Sequence, residues 1–139
     1  MILLDTSGLL AALDPRERLH DGAARALASA EPPFLLSPFV LAELDYLVAS
    51  TLGVEAETDL LEEVARGAYR LEPFGAADVV EARELVLTYR DLAMGLADAS
   101  IVVLARRYGV QEVLTLDERH FRVLRGPRDR PFRLLPADA

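Results

Sequence analysis

The sequence predicts an α/β domain: a mainly parallel central sheet of four to five short strands, flanked by helices. Three observations predict it. Short apolar runs alternate with longer amphipathic stretches along the whole chain, the pattern of strand–helix–strand units. The apolar runs are continuous and do not alternate with polar residues, as strands buried on both faces of a parallel sheet require. The chain has 139 residues, 52% hydrophobic and 27% charged, enough for one core and too few for two. Residues 1–139 are therefore expected to form one domain.

Ile2-Leu3-Leu4 reads as the first strand and ends at Asp5. Thr6 and Ser7 are expected to cap a helix over Gly8–Leu13, which Asp14-Pro15 breaks. A second helix is expected from Glu17 to Ala30, with Leu19, Ala23, Ala26, Leu27 and Ala30 on one face. Glu31-Pro32-Pro33 stops it, and Phe34-Leu35-Leu36 is the second strand. Ser37 caps a third helix with Pro38 in its first position, running to Leu52 and ended by Gly53. A fourth helix covers Glu55 to Ala68, a strand Tyr69 to Glu72, and a fifth helix Gly75 to Arg90. Asp91 to Leu96 reads as a loop, and Asp98 to Tyr108 as an apolar helix closed by Gly109. Glu112 to Leu116 is a strand, Asp117 opens a short helix through Leu124, and Gly126-Pro127 is a turn. Phe132 to Leu135 is the last strand.

Composition removes several chemistries. There is no cysteine, which excludes disulfides, cysteine–zinc sites and thiol catalysis. His20 and His120 are the only histidines, too few for a multi-histidine metal site. All 15 basic residues are arginine, so lysine-based phosphate clamps and Schiff bases are excluded. The net charge of −8 is uneven: residues 1–100 hold 7 arginines against 18 acids, residues 101–139 hold 8 against 5. That asymmetry lets a polyanion dock on one side, while the acidic whole argues against unspecific coating of DNA. No basic segment precedes the first apolar run, and no run is long enough to span a bilayer, so no membrane partner and a cytoplasmic location are expected.

Four acids stand where chemistry is usually placed. Asp5 and Asp117 each follow an apolar strand and precede a helix, which aims them at the crevice beyond the strand ends. Asp98 lies in the first turn of an apolar helix, and Glu43 lies between apolar residues in the third helix. Each alone is satisfied by a bland reading, as an acid favoured by a helix dipole or facing solvent. Together, without cations, they would repel one another and raise their pKa values. With Mg²⁺ or Mn²⁺ they make an all-oxygen site for a hard cation, suited to phosphodiester hydrolysis.

Leu3-Leu4-Asp5-Thr6-Ser7, Leu41-Ala42-Glu43-Leu44, Leu96-Ala97-Asp98-Ala99-Ser100 and Leu114-Thr115-Leu116-Asp117-Glu118-Arg119-His120-Phe121 occur in that order. Their order and spacing resemble the motifs of PIN-domain proteins, and most of all the VapC toxin branch of type II toxin–antitoxin systems. The resemblance covers nearly the whole chain. It implies a PIN-like fold and a Mg²⁺- or Mn²⁺-dependent endoribonuclease, with Asp5, Glu43, Asp98 and Asp117 as the catalytic, metal-holding quartet. Thr6 and Thr115 would support those carboxylates. It further implies an RNA substrate such as tRNA or rRNA, silencing by a cognate VapB-type antitoxin, and a homodimer. A non-catalytic PIN-like adaptor for RNA or protein is the alternative, but such an adaptor is expected to have lost one of the four acids.

Other groups carry weaker readings. Arg119, Arg122 and Arg125 recur at every third position and either bind RNA phosphate or form a solvated face. His120 follows Asp117 by three and shares its helical face; it either touches a phosphate, orients a carboxylate or is structural. Asp45 is expected at the surface, two positions from Glu43. Asp5-Thr6-Ser7-Gly8 lacks the triplet of an aspartic protease. It also lacks the second aspartate and the lysine of aspartyl phosphatases and receivers. The apolar excess between Phe39 and Leu52 is expected to serve the core first and a dimer or antitoxin contact second.

Overall fold

The apolar runs come together as five strands: β1 (Ile2–Leu4), β2 (Phe34–Leu36), β3 (Arg70–Leu71), β4 (Glu112–Leu114) and β5 (Arg133–Leu135). They are seen in a computed structural model that describes residues Met1–Ala139. Every pairing is parallel, in the order β3-β2-β1-β4-β5. Leu3 lies opposite Leu35 on one side and Val113 on the other. The strands are only two or three residues long, yet Ile2, Leu3, Leu4, Leu35, Leu36, Val113, Leu114 and Leu134 are fully buried. Continuous apolar runs are what a sheet covered on both faces needs.

Seven helices supply that cover: α1 (Thr6–Leu13), α2 (His20–Ser29), α3 (Pro38–Leu52), α4 (Val54–Ala65), α5 (Ala76–Thr88), α6 (Leu96–Tyr108) and α7 (Glu118–Phe121). Two single 3₁₀ turns lie at Arg90–Leu92 and Pro127–Asp129. α6 is the central helix, with Ala97 and all residues from Ala99 to Ala105 buried. Asp98 is the one charged side chain set into that apolar stretch. The expected cap at the start of α3 is present: Phe39 N–H donates to Ser37 Oγ, and Pro38 occupies the first turn.

The chain steps from β1 to β2 to β3 in one direction, then returns to place β4 on the other side of β1. The strand order thus reverses between β1 and β4. In open parallel sheets the crevice beyond the carboxyl ends of strands at such a reversal is the place for a ligand. Asp5 follows β1 there, and Thr115 and Asp117 follow β4. α1 leaves β1 so abruptly that a Cβ on Gly8 would lie 2.2 Å from the Leu114 carbonyl oxygen. Glycine is required by that close approach.

The structure moves several expected boundaries. α1 starts at Thr6, and neither Thr6 nor Ser7 caps it, because both hydroxyls are drawn to carboxylates instead. α2 starts at His20, three residues later than expected, because buried Asp14 holds both the backbone N–H and the guanidinium of Arg16 and fixes a turn there. α6 starts two residues earlier, at Leu96, and α7 ends at Phe121. β4 stops at Leu114, since the Leu116 N–H turns to Ser7 Oγ.

Candidate active site

Asp5 is placed by the most rigid part of the fold, the end of the central strand. Its Oδ2 accepts the Thr115 hydroxyl at 2.6 Å and the Ser7 hydroxyl at 2.9 Å. Both donors address one oxygen, so the other oxygen of the carboxylate takes neither bond. Burial pushes the Asp5 carboxyl up, against the lowering effect of Thr115, Ser7 and the Thr6 backbone, and the charge of Asp117 adds to the rise. Thr115 also accepts the Asp117 N–H at 2.9 Å, so one hydroxyl sets the spacing of the two aspartates.

Asp98 projects from the first turn of α6. Burial pushes its pKa up from 3.8 to about 6, and the charges of Asp5 and Asp117 push the same way. His120 and the Gly95 backbone act against them. The position of that turn is itself fixed. Buried Ser37 and Ser100 are joined at 2.6 Å, and Ser100 donates to the Ala97 carbonyl at 2.6 Å. This chain of hydroxyls ties the start of α3, which carries Glu43, to the start of α6, which carries Asp98. Glu43 itself stands exposed at the rim and accepts the Thr6 hydroxyl at 2.9 Å.

Asp117 caps α7 by accepting the His120 N–H at 3.1 Å, and its Oδ2 takes the His120 ring at 2.6 Å through Nδ1. The other ring nitrogen, Nε2, faces the Leu92 carbonyl at 3.0 Å. Both partners are acceptors, so this geometry suits a ring that donates from both nitrogens. The bond to Asp117 raises the His120 pKa against the effect of burial. One oxygen each of Asp98 and Asp117 and a nitrogen of His120 lie within 4.8 Å of one another. Both ring nitrogens are taken up by these bonds, which leaves the carboxylates as the groups that could hold a metal and lets His120 orient one of them.

The structure therefore brings Asp5, Asp98 and Asp117 into one charged cluster and hangs Glu43 beside it through Thr6. Thr6 and Thr115 each hold a carboxylate. Ser7, read in sequence as a cap, holds Asp5 and Leu116. Its signal was its place two residues after a strand-end aspartate. Arg119, Arg122 and Arg125 differ from one another. Arg122 is held by Glu118 and by both oxygens of Asp138. Arg125 folds back on the carbonyls of Arg122, Val123 and Leu124. Arg119 is exposed and joins no ion pair. Asp45 is not the surface group expected from its spacing: it is half-buried, its Oδ1 has no donor, and its other contact is Glu57 on α4.

The donor set suits a hard divalent cation. Its carboxylate oxygens come from Asp98 and Asp117, which lie together beside His120, and from Asp5, close enough for their charges to act on one another. A divalent cation held there would lower the raised Asp5 and Asp98 carboxyls again.

Comparison with known proteins bears on the family and the fold. The PIN domain family matches residues 2–126. The ribonuclease VapC26 of Mycobacterium tuberculosis is 44% identical over 135 residues, which is 97% of this chain and 100% of that protein. VapC20 of the same species, described as a toxin that cleaves the sarcin–ricin loop, superposes with a TM-score of 0.78 at 25% identity, over 84% of this chain and 90% of that one. FitAcB of Neisseria gonorrhoeae superposes with a TM-score of 0.61 at 28% identity, over 85% and 88%. With the acids of the switch-point crevice in place, the chain belongs to the PIN-domain family, on its VapC branch.

Proposed function

We propose that this protein is an endoribonuclease dependent on Mg²⁺ or Mn²⁺, the toxin of a VapBC-type pair. The observation that carries it is the pair Asp98 and Asp117 beside His120, with Asp5 close enough for its charge to raise Asp98, at one strand reversal. Clustering like charge opposes folding, and a divalent cation is the partner that makes it useful. Full-length similarity to a ribonuclease supports the reaction class. The fold domain is read as residues 1–139, acting in the cytoplasm on tRNA or rRNA, as a homodimer and under the control of a VapB-type antitoxin.

Asp5, Asp98 and Asp117 would hold the metal directly or through water, with Glu43 beside them. When bound, the cation polarises the phosphoryl oxygen and makes water a better nucleophile at neutral pH. The rest is done by the chain. Thr115 and Ser7 hold one oxygen of Asp5 and leave the other outside those two bonds. Thr6 keeps Glu43 turned toward the same crevice from α3. His120 fixes the rotamer of Asp117 and, through Leu92, the turn that precedes α6 and Asp98. The hydroxyl pair Ser37–Ser100 keeps α3 and α6 in register, so Glu43 and Asp98 stay at a fixed separation. Of the three C-terminal arginines, Arg119 is free to meet RNA phosphate; Arg122 and Arg125 would first have to give up their internal bonds.

The test is cleavage of a mixed RNA pool by the purified protein with Mg²⁺ or Mn²⁺, against EDTA and an Asp98→Asn variant. Cutting that needs metal and is lost in the variant is the expected result. A folded wild type that cuts nothing with either metal would favour the adaptor reading.

A further inference from the structure

α7 is a single turn, Glu118–Phe121, and two contacts of the candidate site hang on it. Asp117 opens it, and His120 within it bridges Asp117 and the Leu92 carbonyl. One turn of helix makes too few internal bonds to hold its own place, so its position depends on anchors outside it. The inner anchor is Phe121, fully buried, with its ring edge-on to Phe132 at 6.0 Å between centroids. One ring set in a core fixes a point and leaves the turn free to pivot about it.

The outer anchor is Arg122, the residue that follows the turn. Two carboxylates hold its guanidinium. Nη2 and Nε donate to Glu118 Oε1, at the start of α7, at 2.7 and 3.2 Å. Nη1 and Nη2 donate to Asp138 Oδ2 and Oδ1, each at 2.8 Å. That second pairing is the two-pronged geometry that makes a guanidinium–carboxylate bond directional. Asp138 is fixed in turn to β5: its Oδ2 accepts the Leu134 N–H at 2.8 Å, and its own N–H donates to the Leu134 carbonyl at 2.7 Å. β5 pairs with β4, and the Thr115 N–H just beyond β4 donates to the Leu135 carbonyl at 2.9 Å. Glu118, Arg122 and Asp138 therefore strap α7 to the sheet edge that also holds Thr115. An isolated exposed ion pair contributes little, and a network with a bidentate member is the exception.

We propose that the Glu118–Arg122–Asp138 strap positions α7, and through it the His120–Asp117 bond, which makes Arg122 and Asp138 positioning residues for the site. The proposal rests on the ribonuclease reading for its consequence, since the placement of Asp117 matters to cleavage only if Asp117 serves the metal. It gives Arg122 a role other than the phosphate contact that its spacing with Arg119 and Arg125 offers.

The first measurement needs neither metal nor substrate. His20 and His120 are the only histidines, so nitrogen-15 labelled protein gives two sets of ring signals by nuclear magnetic resonance. His20, bonded to the Ala11 carbonyl, is the internal control. Asp138→Asn and Arg122→Gln should each move the His120 ring signals and leave those of His20 in place. Arg122→Lys keeps the charge and loses the fork, and its shift should be intermediate. Asp78→Asn controls for lost stability, because Asp78 also accepts a backbone N–H, from Gly75, and pairs with an arginine, Arg107. It should leave His120 unmoved. In the second measurement, cleavage of RNA, Asp138→Asn and Arg122→Gln should each need about tenfold more Mn²⁺ for half-maximal rate, the lower end of what loss of a group behind a metal ligand costs, with KM for RNA unchanged.

His120 signals that stay in place in both strap variants would overturn the proposal. An equal shift in Asp78→Asn would show general loosening and overturn it as well. A phosphate contact makes the opposite forecast: Asp138→Asn frees Arg122 and should bind RNA more tightly, while Arg122→Gln should bind it more weakly. That divergence would also sink the strap. If the wild type cuts no RNA with either metal, the ribonuclease reading has failed, and the His120 signals still decide whether the strap positions α7.

Discussion

The aspartates of this chain live in two kinds of place. Asp14, Asp78 and Asp138 each sit against an arginine, and each carboxyl is held below its ordinary range: Asp14 by Arg16, Asp78 by the Gly75 N–H and then Arg107, Asp138 by Arg122. Asp5 and Asp98 sit against hydroxyls, apolar walls and other acids, and both are pushed up. The chain has 15 arginines, so the absence of one from the crevice does not follow from scarcity. The difference teaches where stability was given up. Paired aspartates close turns and edges: Asp14 fixes the turn before α2, and Asp138 closes the outer side of β5. The unpaired ones oppose folding, and on the proposed function their partner would be a divalent cation.

The largest expected effect breaks the unpaired side. Asp5→Asn keeps an oxygen for Thr115 and Ser7 but removes the charge proposed to hold the metal. Cleavage should fall about a thousandfold, the scale of several kcal/mol of transition-state stabilisation. The far-ultraviolet circular dichroism spectrum should be unchanged. A variant that cuts at the wild-type rate would remove Asp5 from the chemistry.

Asp98 sharpens the comparison through pH. Its folded pKa, about 6, lies above the ordinary 3.8, so the native state holds its proton more tightly than the unfolded chain does. Stability from this group is fully present below 3.8 and is lost as pH rises through 6. Metal-free Asp98→Asn cannot ionise there. It should melt higher than the wild type at pH 8, by about 2–5 °C after allowing for partial solvent screening. The gap should close toward pH 4. Adding Mg²⁺ should raise the wild-type melting temperature and leave the variant's nearly where it was. A variant that melts below the wild type at pH 8 would mean that Asp98 is held by a structural partner.

Much of this was legible in the sequence because it depends on local pattern. Strand runs ending in Asp5 and Asp117, and an acid in the first turn of an apolar helix, mark the crevice without any tertiary information. What was not legible depends on long-range meetings. His120 reads as ambiguous until the Leu92 carbonyl arrives on its second nitrogen from 28 residues away. Ser7 reads as a cap because helix-start statistics describe it well, while the deciding contact, Leu116, is 109 residues distant. Arg119, Arg122 and Arg125 look equivalent at spacing three. Only the folded chain shows Asp138 reaching Arg122 and sets the three apart. Asp45 has helical spacing that points it away from Glu43, but α4 packs on that side and half-buries it.

The smallest effect tests the paired side. Asp138 accepts the Leu134 N–H at 2.8 Å through Oδ2 and bonds Arg122 through both oxygens. Leu134 belongs to β5, an edge strand, so this N–H would otherwise face solvent or another chain. The Asp138 carboxyl is held down at about 2 against an ordinary 3.8, so its stability is present above 3.8 and disappears as pH falls through 2. Asp138→Asn keeps an acceptor for Leu134 and loses the charge. It should melt about 2–4 °C below the wild type at pH 7, with the gap closing near pH 2. Asp138→Ala loses the edge cover as well and should melt lower still, with light scattering that rises on mild heating. The signs are opposite to those of Asp98 at every pH. If Asp138→Asn instead gained stability at pH 7, the division of the aspartates into paired and unpaired classes would have no energetic meaning.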